Sequence, residues 1–365
     1  MNENEKTGKV RWGFLGAAAI ARKNWAALRH SGNGELRAVG SRNRERAEDF
    51  VREGQLSVPF VTSPTAVEGY EAILADEEIE AVYVPLPTAL RKEWVIKAAQ
   101  AGKHVLCEKP CAVSLRDLEE MTEACERHGV QFMDGVMFMH SRRLETLREV
   151  VAKGRELGEL RRLDSGFSFY AEEEFRENIR MSAELEPGGC VGDLGWYNIR
   201  MSLALMDYEM PVAVRGDLLE EREGVPVAFQ GDLRFADGVT ASFYCSFTAA
   251  LQAWFRVAGT EGTAILDDFV IPFYGCESRF KLLRAHSLNE ACDFKMERHE
   301  RVVSREEYST NHGTSQEARL FRHFNRLVRS GEREEFWPEV SRQTQRVMDA
   351  LLDSARQGGG WRDLA

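Results

Sequence analysis

The stretch GKHVLCEKP, residues Gly102 to Pro110, joins a short apolar run to a charged pair and a proline. The run from His104 to Cys107 predicts a strand buried on both faces, as in a parallel sheet covered by helices. The residues Glu108 to Pro110 do not suit a sheet interior, because proline has no N–H to donate to a neighbouring strand. We therefore expect the chain to leave the carboxyl edge of a sheet here, where α/β proteins bind their ligands.

Strand-like and helix-like segments alternate on both sides of this stretch. The predicted strands are VRWGFLG (10–16), ELRAVGS (35–41), VPFVTS (58–63), IEAVYVPLP (79–87), KHVLCEKP (103–110) and VQFMDGVMFM (130–139). The predicted helices are AAIARKNWAALRH (18–30), RERAEDFVREG (44–54), TAVEGYEAILAD (65–76), RKEWVIKAAQAG (91–102) and, starting at Ser114 and Asp117, LRDLEEMTEACERHG (115–129). This alternation predicts an α/β domain over residues 1–134, with a mostly parallel sheet covered on both faces.

The rhythm changes after residue 134, where we expect a second domain over residues 135–365. One helical segment, HSRRLETLREVVAKG (140–154), precedes the strand RRLDSGFSFY (161–170). Two antiparallel hairpins are then predicted, FQGDLRFADGVTASFYCSF (229–247) turning at Asp237–Gly238 and WFRVAGTEGTAILDD (254–268) turning at 259–262. A capping box from Thr314 to Glu317 predicts the helix 316–331, and 341–358 supplies another. The prediction is an α+β domain with an open, mostly antiparallel sheet and helices on one face, and the C-terminal helices could pack back on the first domain.

The composition argues against several classes of partner and site. The 365 residues carry a net charge of -11, which disfavours nucleic acid or an anionic membrane as the main partner. The opening MNENEKTGK is polar, and no apolar run approaches the ~20 residues that a membrane helix needs, so we expect a cytoplasmic protein with a frayed amino terminus. Seven scattered cysteines without a CxxC pair argue against a disulfide framework, and we expect no metal at His104, Cys107 and Cys111.

The segment GFLGAAAIA (13–21) lies where a phosphate-binding turn is expected, between the first strand and the first helix. The usual GxGxxG pattern is represented by Gly16, Ala18 and Ala21. One added methyl group still allows the helix amino terminus, with Ala19 and Ile20, to present N–H groups to a phosphate. Simple packing of the helix is the alternative interpretation.

The end of the second strand bears on the choice of cofactor. An acidic residue there would bind the ribose hydroxyls of NAD, but this chain has Ser41 and Arg42, with Arg46 on the following helix. A hydroxyl and guanidinium groups suit the 2′-phosphate of NADP. The alternative is an ordinary solvated start of a basic helix.

These segments together resemble the Gfo/Idh/MocA oxidoreductases, the family of glucose-fructose oxidoreductase and inositol dehydrogenase. The matching stretches are WGFLGAAAIARK, AVGSRNRERAEDF, VYVPLPTALRKEWVIKAAQAGKHVLCEKP, MDGVMFMHSR and NIRMSAELEPGGCVGDLGWYNIR, in family order from residue 12 to about 200. The resemblance implies an N-terminal Rossmann domain that binds NAD(P). It also implies that residues Pro85, Leu86 and Pro87, with Glu108 and Lys109, border the cofactor, often with a cis bond before Pro110.

A second family motif, roughly GGGxxxDxGxH, corresponds to GGCVGDLGWY, with Gly188, Gly189, Asp193 and, in place of the histidine, Tyr197. The tyrosine form is similar to the branch with glucose-fructose oxidoreductase and dimeric dihydrodiol dehydrogenase, which mostly prefers NADP. If GDLGWYNIR opens a helix, Asp193 and Tyr197 project from one face, with Arg200 three residues further on.

Hydride transfer at a carbonyl carbon requires a proton relay at the oxygen. We expect Tyr197 to donate or accept this proton, Lys109 to lower the pKa of Tyr197 and bind the substrate oxygen, and Asp193 to orient a substrate hydroxyl. Lowering a tyrosine pKa by three units from about 10 requires about 4 kcal/mol of differential interaction. Arg180 is a further candidate for substrate contact.

The chain departs from the family pattern at several positions. Thr88 stands near the family's asparagine and Arg91 where the family has histidine, so Arg91 either changes the substrate class or binds a cofactor phosphate or a carboxylate. Cys190 interrupts the glycine run. The predicted substrate loop contains Glu173, Arg176 and Asn178, and His140 is expected to be a satisfied interdomain histidine.

The leading prediction is an NADP-dependent dehydrogenase or reductase for a sugar, cyclic polyol or diol, with NAD as the possible alternative cofactor. A redox-assisted glycosidase of the same superfamily would turn over without net NADPH consumption. A non-catalytic NAD(P)-sensing regulator would need only the dinucleotide site. The resemblance also implies a homodimer or homotetramer through the second sheet, where Phe235, Phe243, Tyr244 and Phe247 either pack under helices or meet a partner.

Overall fold

The chain folds into two compact units. The computed structural model describes residues 8–172, 175, 177–274, 277–309 and 311–364, so most of the predicted frayed amino terminus lies outside the described residues. The first unit falls within Met1–His140, Glu184–Glu186 and Thr310–Gln345, and the second within Ser141–Ala183, Pro187–Ser309 and Arg346–Ala365. A domain boundary between residues 134 and 135 stays a prediction.

The first unit contains a six-stranded parallel sheet with the strand order β3-β2-β1-β4-β5-β6. Its strands are β1 (Val10–Leu15), β2 (Gly34–Ser41), β3 (Thr65–Glu68), β4 (Ala81–Val84), β5 (His104–Cys107) and β6 (Phe132–Asp134). Its helices are α1 (Ala19–Ser31), α2 (Arg44–Ser57), α3 (Glu71–Ala75), α4 (Thr88–Gln100), α5 (Leu115–Arg127) and α8 (Gln316–Ser330). The chain order reverses between β1 and β4, which creates the crevice where doubly wound sheets bind ligands. The predicted Rossmann architecture is confirmed.

The helix α8 packs on this sheet although it is distant in sequence. The indole of Trp12 on β1 donates a hydrogen bond from Nε1 to Oδ1 of Asn325 at 2.8 Å. The same ring contacts Phe321 and Phe324 with centroid separations of 5.2 and 5.1 Å. The buried aromatic cluster therefore joins β1 to a helix encoded some 300 residues later.

The prediction around β3 is wrong. VPFVTS forms no strand; instead Thr65–Glu68, assigned above to a helix, pairs with β2, and only Glu71–Ala75 is helical. Pro59 and Pro64 flank the apolar part of VPFVTS and cannot donate to a neighbouring strand, whereas the segment TAV contains the β-branched residues Thr65 and Val67 and no proline. The segment Thr65–Glu68 therefore forms the edge strand of the sheet although its apolar spacing resembles that of a helix.

The second unit contains a nine-stranded, mostly antiparallel sheet with the order β14-β13-β12-β11-β7-β10-β9-β8-β15. The strands are β7 (Leu160–Tyr170), β8 (Ala213–Arg222), β9 (Val225–Arg234), β10 (Thr240–Ser246), β11 (Thr248–Gly259), β12 (Thr263–Leu266), β13 (Ser278–Glu290), β14 (Asp293–Arg305) and β15 (Arg362–Asp363). Among the described strands of this second sheet, only the pair β7 and β10 is parallel. Helices α6 (Arg142–Lys153) and α7 (Trp196–Leu205) belong to this unit, and α9 (Phe336–Arg356) has residues in both units.

Both predicted hairpins are confirmed. β9 pairs with β10 across the turn at Asp237–Gly238, and β11 pairs with β12 across the turn at 259–262. The long hairpin of β13 and β14 escaped prediction because its outer half is exposed on both faces, so the sequence shows little apolar alternation there. β8 was also missed.

Of two predicted helix caps, one is confirmed and the other is displaced by one residue. Ser114 caps α5 as predicted, with its Oγ accepting from the N–H of Asp117 at 3.3 Å. For α8 the predicted cap Thr314 is wrong by one residue, because Oγ of Ser315 accepts from the N–H of Ala318 at 3.2 Å. Glu317, the other half of the predicted capping box, pairs with Lys23 on α1 at 3.0 Å.

Candidate active site

The turn after β1 explains why one glycine of the fingerprint is kept and two are replaced. Gly16 has φ +142°, in the region that favours glycine, and a Cβ there would lie 3.4 Å from Cγ of Pro85 after β4. Ala18 is extended, with φ −79° and ψ 158°, and Ala21 lies inside α1, so both positions accept a methyl group. The turns that follow β1 and β4 therefore meet at the crevice.

The amino terminus of α1 fits a phosphate group. Among the described residues no side chain caps this helix, and its first turn carries no acidic residue. Ala19 and Ile20 are exposed at this end. Backbone N–H groups at an uncapped helix start attract an anion, so the predicted residues Gly16, Ala18, Ala19 and Ile20 suit the pyrophosphate of a dinucleotide.

The residues predicted to bind a 2′-phosphate lie at the end of β2 and at the start of α2. Ser41 is buried and its Oγ accepts from the N–H of Asn43 at 3.3 Å. Burial raises the pKa of Tyr70, and the charges of Arg42 and Arg46 oppose that rise, which places both guanidinium groups near Tyr70. Arg44 instead pairs with Glu48 on the same helix. Arg42 and Arg46 are thus exposed and lie near Tyr70, whereas Arg44 has its own partner.

Glu108, the first charged residue after β5, has hydrogen-bond partners inside the first unit. Its carboxylate is buried and accepts hydrogen bonds from the hydroxyl of Tyr83 at 2.5 Å and from Nδ2 of Asn24 at 3.2 Å. Burial, followed by the charge of Glu108, raises the pKa of Tyr83 well above its usual range, so the phenol stays the proton donor. The carboxylate therefore anchors β5 to α1 and β4, and a contact of Glu108 with cofactor stays a prediction.

Lys109 follows Glu108 at the crevice edge and is half-buried. The bond between Lys109 and Pro110 is cis, as the resemblance implied. Arg91 on α4 is buried and donates from Nε to the carbonyl of Leu86 at 2.7 Å and from Nη1 to the carbonyls of Glu108, at 3.0 Å, and Pro110. The guanidinium expected to change the substrate or bind a phosphate or carboxylate thus holds backbone carbonyls.

The other departure on α4, Thr88, also has a partner in the first unit. The carboxylate of Glu186 accepts from the backbone N–H of Thr88 at 2.9 Å and from its hydroxyl at 2.6 Å. The N–H of Ala89 donates to the carbonyl of Leu185 at 3.1 Å. The segment Glu184–Glu186 therefore caps the start of α4.

In the second unit the glycine motif forms a tight turn and then a wide one. Gly189 has φ +48°, and a Cβ there would lie 2.2 Å from the carbonyl oxygen of Pro226, so only glycine fits. Residues Val191–Gly195 then form a π-helical turn before α7 begins at Trp196. The segment GDLGWYNIR thus opens a helix through a π-helical turn, and such wide turns are frequent at functional sites.

Asp193 lies in this wide turn, and Arg180 is its partner. Nε of Arg180 lies 2.8 Å from Oδ2 of Asp193. Oδ1 of Asn178 accepts from the N–H of Arg180 at 3.1 Å and caps the short turn Ile179–Met181. Two predicted substrate residues are thus brought together, whereas Glu173 and Arg176 lie outside the described residues.

Tyr197 lies in the first turn of α7 and is largely buried. Its ring packs edge-on against Phe167 of β7 at a centroid distance of 5.7 Å. Arg200, three residues on, is fully buried with its guanidinium 5.8 Å from the centre of the Trp196 ring. Cys190 has its Sγ 3.9 Å from that of Cys245. Asp193, Arg180 and Tyr197 therefore all belong to the second unit, whereas Lys109 belongs to the first.

The residues considered for a metal have ordinary packing contacts. Nδ1 of His104 accepts from the N–H of Gln131 at 3.0 Å, and Sγ of Cys107 donates to the carbonyl of Glu108 at 3.4 Å. In the part of the chain that the structure describes, no group of three or more His, Cys, Asp or Glu residues is arranged to hold a metal ion.

His140 stacks on Trp337 with ring centroids 4.7 Å apart, and its ring lies 5.5 Å from that of His323. Burial lowers the pKa of His140 well below its usual range, and the neighbouring charges of His323, Arg319 and Arg326 lower it further. Burial also lowers the pKa of His323, although Glu334 acts in the opposite direction. Both imidazoles are therefore held neutral in the folded chain.

This burial predicts a loss of stability in mild acid. The unfolded chain takes up protons on these histidines near pH 6.5, so it binds more protons than the folded chain below that pH, and the free energy of unfolding falls as pH falls. The slope reaches about 1.4 kcal/mol per pH unit for each histidine. We expect His140→Gln to flatten the fall between about pH 7 and 5 in urea titrations. An identical pH slope in the two proteins would contradict this assignment.

Two family models match the chain. The first, described as an oxidoreductase family with a NAD-binding Rossmann fold, matches residues 10–136. The second, the GFO/IDH/MocA C-terminal domain, matches residues 144–265.

Individual relatives and solved structures are also similar. The chain is 32% identical to D-xylose 1-dehydrogenase (NADP(+)) 2 of Haloferax volcanii, over 96% of this chain and 98% of that protein. It is 29% identical to trans-1,2-dihydrobenzene-1,2-diol dehydrogenase of Bos taurus, over 71% and 74% of the two chains. A crystal structure of a 3-ketoreductase from Actinomadura kijaniata with NADP and TDP-benzene superposes with a TM-score of 0.79, at 26% identity, over 95% of this chain and 98% of that one.

Proposed function

Because the chain belongs to the Gfo/Idh/MocA oxidoreductase family, we propose that it is an NADP-dependent dehydrogenase or reductase for a hydroxyl or carbonyl group of a sugar, cyclic polyol or diol. The chain is an oxidoreductase. The observation that carries the proposal is the set of Lys109 after β5, Asp193 in the wide turn and Tyr197 at the start of α7 in one chain with a dinucleotide crevice. The names of the xylose and dihydrodiol dehydrogenases support the substrate class.

The dinucleotide would be held by residues at the carboxyl ends of the first-unit strands. Gly16 and the start of α1 suit the phosphates, Ser41, Arg42 and Arg46 the 2′-phosphate, and Pro85–Pro87 with Glu108 and Lys109 the nicotinamide end. When bound, the nicotinamide exchanges a hydride with the substrate carbon that bears the hydroxyl or carbonyl.

The chain's own groups handle the proton and the substrate oxygen. The Tyr197 hydroxyl gives its proton to the carbonyl oxygen in reduction, and the Tyr197 phenolate takes the proton from the substrate hydroxyl in oxidation. The Lys109 ammonium binds that oxygen and favours the phenolate form of the tyrosine. Asp193, with Arg180 beside it, orients a neighbouring hydroxyl. Such acid and base help is typically worth ~10² to 10⁴ in rate.

Cofactor preference provides the first test. We expect NADPH to bind at least about ten-fold more tightly than NADH, or about 1.4 kcal/mol, since Ser41, Arg42 and Arg46 form a cationic corner at the end of β2. Titrations would follow quenching of tryptophan emission. Arg42→Ala should remove most of the preference, whereas Arg44→Ala, the matched control whose guanidinium pairs with Glu48, should keep it. Equal affinities for both cofactors in the unaltered chain would refute the 2′-phosphate site.

The assembly and location of the protein stay predictions. A homodimer or homotetramer through the second sheet is expected, but Phe235, Phe243 and Phe247 are buried within the second unit itself. Tyr244 points to the opposite side of β10 from Phe243 and is half-buried, so it is the member of that set still suited to a partner. In the described residues no helix is long and apolar enough to cross a membrane.

A further inference from the structure

Arg91 is a buried cation whose hydrogen bonds, in the part of the chain that the structure describes, go to backbone carbonyl oxygens. Its side chain leaves the first turn of α4, and the residue is only 6% exposed. A buried guanidinium is costly unless its donors are satisfied, and here they meet the carbonyl oxygens of Leu86, Glu108 and Pro110. A charge-assisted hydrogen bond is roughly twice as strong as a neutral one, so this group restrains the backbone strongly.

The three carbonyls lie on two different loops. Leu86 belongs to the loop after β4, whose Pro85 lies against the Gly16 turn, and Glu108 and Pro110 belong to the loop after β5. Glu108 and Pro110 are the residues on either side of Lys109. The planar Arg91 guanidinium therefore restrains the backbone before and after Lys109 and connects this loop to the loop after β4.

We propose that Arg91 is the positioning residue for Lys109, setting where the ammonium group lies at the crevice edge. The inference rests on the proposed function, in which Lys109 binds the substrate oxygen. A guanidinium has five N–H donors in a fixed fork, whereas the neutral imidazole of the family's histidine has one donor. In this chain a histidine at position 91 would leave at least one of the three carbonyls unbound, so the substitution changes the support of Lys109 rather than the substrate contact.

The first test measures the reactivity of Lys109 itself and needs no substrate. Acetic anhydride at limiting concentration labels each lysine at a rate set by its exposure and its fraction of neutral amine, and mass spectrometry reads every site separately. We expect Arg91→Gln to change the labelling rate of Lys109 at least threefold, while Lys97, exposed and paired with Glu93 on the far part of α4, keeps its rate. Arg91→His supplies a second variant if Arg91→Gln does not fold.

Arg143 provides the matched control. It is another buried arginine, paired with Asp268 and bonded to its carbonyl at 2.8 Å, in the second unit. Arg143→Gln should lower the melting temperature without altering the labelling of Lys109. An unchanged Lys109 rate in both folded Arg91 variants, or an equal change in Arg143→Gln, would overturn the proposal.

A double-mutant cycle then separates this inference from the proposed function. With NADP and D-xylose or D-glucose as probes, Arg91→Gln should lower kcat about tenfold in the unaltered chain but less than twofold in a Lys109→Met background, because it acts through Lys109. Equal losses in the two backgrounds contradict the positioning role. A Lys109→Met variant with full kcat contradicts the proposed function instead, whatever the Arg91 variants do.

Discussion

Replacing Tyr197 by phenylalanine should lower kcat at least about a hundredfold and leave the dissociation constant of NADPH within about twofold. The change removes one oxygen atom, which is the only atom of this side chain that can carry the proton to or from the substrate oxygen. The ring itself keeps its edge-on contact with Phe167 at 5.7 Å, so the fold should be preserved. Steady-state rates with NADP and a panel of aldoses, polyols and vicinal diols provide the measurement.

Tyr274→Phe is the control for this substitution. Tyr274 also belongs to the second unit, but it is 95% exposed, so losing its hydroxyl should leave kcat unchanged. If Tyr197→Phe retained full turnover, the proton relay would have to reside elsewhere and the role assigned to Tyr197 would be abandoned.

Lys109→Met should have the second largest effect, again about a hundredfold on kcat. Methionine keeps the length of the side chain but loses the charge that binds the substrate oxygen and favours the tyrosine phenolate. Without that charge the phenol should ionise at higher pH, so in oxidation with NADP, which requires the phenolate, the acidic limb of the pH profile should move upward by at least about one pH unit. Rates measured between about pH 6 and 10 test both statements.

Lys97→Met serves as the matched control for the loss of a lysine. Lys97 lies on α4 and pairs with Glu93 at 2.5 Å on the surface, so its replacement should leave both the rate and the pH profile as they are. A Lys109→Met variant with a lowered rate but an unmoved pH profile would leave Lys109 as a substrate contact and remove it from the control of the tyrosine pKa.

The first unit was largely readable from the sequence because its strands are short apolar runs bounded by turn residues. β1, β2, β4 and β5 begin and end close to their predicted bounds, and their carboxyl ends bring Gly16, Ser41, Pro85 and Lys109 to one edge. A parallel sheet imposes this, since every strand end that precedes a helix lies on the same side. For these strands the local sequence pattern therefore also predicts where their ends lie in the sheet.

The edges of the sheets were less readable. β3 formed where a helix was predicted, and β13 and β14 formed where too little apolar alternation was visible. In each case the backbone hydrogen bonds come from a neighbouring strand, and at an edge the side chains are only partly buried. Pairing of this kind leaves a weak trace in a single sequence.

In the candidate site, too, some features could be predicted from the sequence and others could not. The sequence, chiefly through the family motifs, indicates six candidate residues, Gly16, Ser41, Arg42, Lys109, Asp193 and Tyr197. No pattern indicated that Asn24 and Tyr83 hold Glu108, or that Glu186 caps α4 at Thr88. These partners are between 25 and 98 residues apart along the chain, so no local spacing relates them.

By itself the sequence determined the fold class and a ligand crevice at the carboxyl edge of the first sheet, because these follow from hydrophobic period and turn residues. The groups expected to carry hydride-transfer chemistry followed from side-chain type together with the resemblance to the family motifs. Only the tertiary structure decided what Arg91 and Glu108 do. Both read as charged residues beside a ligand crevice, yet each is buried, and its role depends on which carbonyls and hydroxyls the folded chain brings within hydrogen-bonding distance. A buried charge takes its function from its partners, and those partners exist only once the chain has folded.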